Sequence, residues 1–428
     1  VNSKGYLDMR GEQGNKMKNK AEIYDPYVPP IGAKCLVHFR PHTGYADNPE
    51  FGFDWFRIGD TGTDGDVWFK DIVGRYYDNL FTGLPFIGSN DWSNVFRTDE
   101  DMYDRLIKTY ERYVITWKPV EDGNPHYYFV PKLTLLKGKT AIFTLKIQIE
   151  EKPKKITFEF RDKDKALKYY FNINKREISN IKGKGSKYTL TNEFSIECKG
   201  DFDNMQTLYV LADDKICGRM DILPNIPKKT KKIKVVFIRV QTKINGKTRR
   251  GNPFPGGTDL LEKVLNQALV IPTIIQEPEF LNCVDTEFKK FCSEEIIQGG
   301  KKELIVTDKE NELQVYLEQK IKKQFKERYD GYYKLFFIGE KADSNGFSYS
   351  NSKFAVFFDG HTESTIPHEV LHSLNLPHTF ANEKNSIFTY KVGQTNNIMD
   401  YSHMKTFGAK RRIVLYSWQW KIINTNIK

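Results

Sequence analysis

The chain is poor in the residues that make staples and membrane spans. Only five cysteines (Cys35, Cys198, Cys217, Cys283 and Cys292) occur in 428 residues, with no CxxC. So few, in an odd number, exclude a disulfide scaffold and a thiolate zinc site. Cys198 with Cys217, or Cys283 with Cys292, would each close a loop in an oxidising compartment; buried reduced thiols are the simpler expectation. No run of 18 apolar residues exists, so no transmembrane helix is expected. No apolar stretch follows a charged start, so no secretory leader is read in the chain as given. Internal repeats and low-complexity tracts are missing. A strong charge of one sign is missing too: 66 basic residues against 55 acidic leave +11. Nucleic-acid binders gather their basic residues on one face. Here the lysines are dispersed, apart from a knot at Lys228, Lys229, Lys231, Lys232 and Lys234. No nucleic-acid partner is expected. Histidine is scarce as well, yet five of the eight lie between His361 and His403.

What is present is globular: 39% hydrophobic and 28% charged residues, enough chain for two to four domains. The expected fold class is α+β, in three zones. Residues 1–125 are rich in aromatics and glycine. They include a helix starting near Thr98, where Asp101 completes a capping-box pattern and Met102, Leu106, Ile107 and Tyr110 repeat at helical spacing. Asp60, Asp64, Gly65 and Asp71 fall on positions of an EF-hand-like loop, but Gly62 occupies a ligand position, which favours a plain turn. Trp55, Trp68 and Trp92 are expected to pack in a core rather than to stack on a ligand.

Residues 126–226 read as short strands at 133–147 (around a Gly turn), 156–160, 169–173, 189–198, 206–212 and 219–223. That spacing suggests an Ig-like β-sandwich. A Pro- and Lys-rich linker follows Pro224. Residues 227–428 change rhythm. Strands are expected at 233–240, 303–306, 333–339 and 354–359, and helices at 258–268 and 311–328. Alternating strands and helices argue for a layered α/β catalytic domain.

The chemistry is concentrated after the last of these strands, in His368-Glu-Val-Leu-His372-Ser-Leu-Asn-Leu-Pro-His378. Thr365 is a fitting N-cap and Pro367 is tolerated in a first helical turn. His368 and His372 then share one helical face and both reach one zinc ion. Glu369 lies beside the first ligand and is placed to act on a water. A third ligand from another direction requires a sharp turn. Asn375 tolerates the left-handed conformation, and Pro377 stops the helix.

These residues resemble the elongated zinc motif HExxHxxGxxH of the metzincin metalloproteases, with Asn375 where that family usually has Gly. Met399 follows in Asn-Asn-Ile-Met-Asp-Tyr, similar to the family's Met-turn. The resemblance, over roughly residues 230–428, implies one catalytic Zn2+ held by His368, His372 and His378. It implies Glu369 as general base and Tyr401 as a hydroxyl aimed at the metal or the oxyanion. It places Gly346, Phe347, Ser348 and Tyr349 on an edge strand that pairs with substrate. The implied function is a zinc endopeptidase acting on a protein or peptide. His361 and His403 are expected at the surface, and Cys35 lacks the context of a latency thiol. As a whole the chain also resembles bacterial secretion-system-associated metalloprotease toxins. That likeness implies a secreted effector with a delivery apparatus or an inhibitor protein as partner. Two other functions fit the same residues: a zinc hydrolase of peptidoglycan cross-links, and a non-catalytic binding or cargo module.

Overall fold

The computed structural model describes residues 28–45, 49–77, 95–120, 125–296, 302–306, 312–382 and 386–427. It is a mixed α+β structure, mostly sheet. Trp92 lies outside the described residues.

Two sheets face each other across an aromatic core. The first has the order Cys35–Pro41, Thr140–Ile149, Lys187–Cys198, Phe171–Ile173, all antiparallel. The second has the order Gly52–Asp54, Lys132–Thr134, Lys215–Ile222, Gln206–Ala212, Ile156–Phe160. Alternation sends Phe39, Phe143 and Phe194 inward from one sheet and Phe53 and Phe158 from the other. Their rings meet at 5.0 Å (Phe53–Phe143) and 4.3 Å (Phe158–Phe194). The sandwich therefore takes strands from both sides of residue 125. The two strands within 133–147 belong to opposite sheets. Around Gly138 the turn gives its N–H to Cys198 O, at 2.7 Å, instead of closing a hairpin. The strand expected at 169–173 begins at Phe171, because residues 166–170 form a π-helical turn. All five cysteines are free thiols, and Cys35 is buried in the sandwich.

The third sheet is built on Lys231–Ile244. On one side it pairs in parallel with Tyr333–Ile338, which pairs in parallel with Phe354–Phe357. On the other lie Val270–Gln276 and Leu281–Cys283, also parallel. Gly346–Ser348 closes one edge antiparallel to Phe354–Phe357. Helices cover both faces, which is why these strands read as nearly continuous apolar runs. Val236, Ile238 and Val240 pack under helix Glu312–Phe325 with Leu313, Leu317 and Ile321. Val235 and Phe237 face the opposite way, toward helix Gly257–Gln267 and helix Thr365–Ser373.

That second face shares one core with the sandwich. Thr134 donates to Gln267 O at 2.7 Å, and Ser417 N–H donates to Asp54 at 2.9 Å. The stretch expected as a linker is anchored: Asn225 is buried and accepts from Phe202 N–H while donating to Leu135 O. Helix Glu100–Ile107 is capped by Asp99, which accepts from Met102 N–H at 2.8 Å, rather than by Thr98. Its buried Met102 and Leu106 face the common core.

Candidate metal centre

The motif helix runs from Thr365 to Ser373, with Ser364 at its N-cap position and Pro367 in the first turn. Ser364 makes no side-chain cap bond. Instead Thr365 Oγ1 accepts from Thr362 N–H at 3.1 Å. The C-terminal end is a Schellman turn. Leu376 N–H donates to Leu371 O at 3.0 Å and Asn375 N–H to His372 O at 2.8 Å. Asn375 takes φ 65°, the left-handed conformation that such a turn demands. The reversal brings His378 back against the helix face that carries His368 and His372.

The three Nε2 atoms form a near-equilateral triangle. His368 to His378 is 3.2 Å, His368 to His372 is 3.2 Å and His372 to His378 is 3.1 Å. On the far side of two rings the partners are backbone carbonyls: His368 Nδ1 to Ile398 O at 2.9 Å, and His372 Nδ1 to Leu376 O at 2.9 Å. A carbonyl only accepts, so these Nδ1 atoms carry the proton and their Nε2 lone pairs point into the triangle. Lone pairs crowded in this way need a cation between them. Tetrahedral zinc with Zn–N bonds of about 2.0–2.1 Å separates its nitrogens by roughly 3.3 Å, close to the triangle found. The residues fit a metal ion. Among the described residues, no other group of His, Cys, Asp or Glu is so arranged.

Electrostatics suit the same role for the histidines. Burial pushes all three imidazoles down, His372 to about 4 and the other two well below their ordinary value. Glu369 is 7% exposed. Without a metal, burial holds its carboxyl up at about 8, against the opposing pull of Arg412; a dication on the three histidines would favour the carboxylate that a base needs. An ideal Cβ on Gly346 would stand 3.2 Å from Glu369 Cγ, so the edge strand runs directly beside this carboxyl. Phe347 and Ser348 continue that strand, pairing with Val356 and Ala355, and Tyr349 lies just past its end.

Met399 is fully buried, and its carbonyl accepts from Thr379 N–H at 3.2 Å, one residue after His378. Tyr401 stands in the centre, its ring 4.9 Å from that of His378 and 6.0 Å from that of His368. Burial raises its hydroxyl to about 12. His361 is tied up away from the triangle: its Nε2 accepts from Phe254 N–H and its Nδ1 lies 2.7 Å from Phe358 O. His403 is half-buried, its ring 6.1 Å from Tyr401. The acidic glycine loop is a turn and not a cation site. Arg40 makes a two-point contact to Asp60 at 3.0 and 2.9 Å, and Asp66 accepts from Thr61. Trp55 is buried against Arg57, whereas Trp68 is exposed.

Several residues of the centre escape a reading by motif. Asp400 is fully buried and accepts from Gly393 and Tyr401 N–H through one oxygen, and from Thr395 N–H and Oγ1 through the other. Asn397 and Gln419 exchange side-chain bonds of 2.7 and 3.2 Å, and Asn397 also receives Met399 N–H. Phe380 stacks on His378 with centroids 4.8 Å apart. Arg412 lies against His368. Only Asp400, beside Met399, had a local signal.

No family model matches the chain, and no curated protein matches it. Among solved structures, a family 123 glycoside hydrolase from Clostridium perfringens aligns at 8% identity with a TM-score of 0.17. The alignment covers 50% of this chain and 54% of that one, so the match spans about half of each. At that TM-score the likeness carries no argument about fold or function. No helix among the described residues is long and apolar enough to cross a membrane.

Proposed function

We propose that this protein is a zinc-dependent endopeptidase of metzincin type, with the sandwich as an Ig-like module fused to the catalytic layers. The observation that carries the reading is the triangle of Nε2 atoms, 3.1–3.2 Å apart, beside a buried carboxyl and an edge strand. His368, His372 and His378 would hold the ion. When bound, zinc supplies Lewis acidity toward a water and a carbonyl oxygen.

The rest is done by side chains. Glu369 accepts the proton of the attacking water and returns it to the leaving nitrogen. Tyr401 donates its hydroxyl to the oxygen that gains charge. Gly346–Ser348 offers the unpaired main-chain groups of a sheet edge, which suits an extended peptide laid antiparallel along it. The absence of a side chain at Gly346 leaves room for Glu369 at the same edge.

The experiment is metal analysis with a cleavage assay. One zinc per chain and chelator-sensitive cleavage of casein are expected, and Glu369→Gln should keep the zinc while losing at least about a hundredfold in kcat, the scale of general-base catalysis. Hydrolysis of purified peptidoglycan with casein untouched would replace the endopeptidase reading with the cell-wall one. A chain that takes up no zinc would end both.

A further inference from the structure

Arg412 closes the run Lys410-Arg411-Arg412, yet it is only 3% exposed. A guanidinium that deep is retained at a cost unless its donors are taken. Here Nη1 and Nε find partners below the candidate metal centre. Nη1 donates to Asp400 O at 2.8 Å and to Ile398 O at 3.3 Å, and Nε reaches Ser364 Oγ at 3.4 Å. The same Ile398 carbonyl faces His368 Nδ1 at 2.9 Å, and Arg412 Nη1 lies 3.1 Å from that Nδ1. Arg412 therefore touches three things at once: the start of the motif helix, the chain on both sides of Met399, and the back of the first histidine.

Arginine has no acceptor, so it cannot take a proton from His368. With a cation on Nε2, the His368 Nδ1 proton must go to Ile398 O, and that carbonyl must be held in place to receive it. We propose that Arg412 is the positioning residue of the metal centre: its Nη1 clamps the carbonyls of Ile398 and Asp400 beneath His368 while its Nε ties the same planar group to Ser364, and so it presents His368 Nε2 to the metal. The inference rests on the reading that the three histidines bind a metal ion. Lysine is not equivalent, because a single ammonium in the place of Nη1 on the two carbonyls would have no second nitrogen for Ser364 and no rigid plane to fix its angle. Burial pushes the Arg412 guanidinium down to about 10, with Glu369, Tyr401 and Asp400 pulling the other way, so it keeps its charge at neutral pH.

The test uses the full chain. Zinc affinity of wild type, Arg412→Lys and Arg412→Met is measured by competition with a chelator of known affinity, and the Co2+ visible spectrum of each is recorded. Both variants are expected to bind zinc about 10–100-fold more weakly, the usual loss for a partner behind a ligand. Their Co2+ spectra should differ from wild type, and metal-free Arg412→Lys should melt within a few degrees of it. Binding as tight as wild type, or tighter, with an unchanged spectrum overturns the clamp and leaves the zinc reading standing. A wild-type chain that takes no metal overturns both. Should neither variant fold, nitrogen NMR of zinc-loaded wild type decides: His368 must carry its proton on Nδ1, and the other tautomer refutes the proposal.

Discussion

Glu369 is a carboxyl whose proton is governed by burial. Its folded value, about 8, lies above the ordinary carboxylate range. A raised carboxyl contributes its stability below the unfolded value and loses it as pH rises through the folded one. Metal-free Glu369→Gln should therefore match wild type near pH 4 and exceed it by up to about 5 kcal/mol above pH 8. Urea melts at pH 4, 7 and 9 read this; a gap that stays constant across the series would contradict it. The histidines run the other way. Their depressed values keep them neutral, and their share of stability is present above about pH 6.5 and lost as pH falls, for His372 through about 4. Ligands already neutral have no proton to shed, so the zinc affinity of Glu369→Gln, which removes the raised carboxyl beside them, should change less than about threefold between pH 7.5 and 6, by competition titration. A tenfold fall over that range would mean the imidazoles titrate near their ordinary value. At this scale the sequence was readable for His368, Glu369, His372 and His378, because helical spacing alone puts the first three together. Arg412 was not, since burial of one residue in a basic run has no local signature.

The motif helix and its exit turn act as a unit. The Schellman bonds and the left-handed Asn375 both aim His378 and supply the Leu376 carbonyl that orients His372. Asn375→Gly should leave stability within about 0.5 kcal/mol and zinc affinity intact. Asn375→Val, a β-branched residue at φ 65°, should cost at least 1 kcal/mol and weaken zinc binding. Thermal melts with metal titration check both, and a Val variant with wild-type zinc affinity would show that the turn does not aim the ligand. This turn was legible because Asn before Leu-Pro stops a helix by local sterics. The strands of 133–147 were legible as strands but not in their partners. Both show the same alternation, and nothing within either segment says which sheet it joins.

Across the whole molecule, residues far apart in sequence wall in the centre. Gly74 N–H donates to Thr389 O, Lys391 N–H to Ile72 O, and Val392 N–H to the Tyr76 hydroxyl. Gly65, at φ 77°, touches Asn396, where an added Cβ would come within 2.4 Å of the main-chain nitrogen. Gly65→Val should therefore destabilise the chain by roughly 1–3 kcal/mol and loosen zinc binding, although it lies over 300 residues from the motif. Residues 227–428 made alone should lack a cooperative melt, because their helices and the loop around Met399 pack into the core shared with the sandwich. Calorimetry of that fragment settles it; a sharp transition with one bound zinc would show residues 227–428 to be independent. The composition boundary near 125 marked a change in residue usage, not a break in the core, since Cys35–Pro41 and Gly52–Asp54 are sandwich strands.

Read without coordinates, the chain determined its three clustered histidines, the carboxyl beside them, the stop after the motif helix and the central strands of the third sheet, but not Val270–Gln276 or Leu281–Cys283 at its side. Each of these depends on neighbours within one or two turns. Tertiary structure alone decided which strands share a sheet, which arginine is buried behind His368, and that the first third of the chain supports the loop around Met399. Those outcomes depend on packing between segments well separated in sequence, where free energy belongs to the contact and to neither partner by itself.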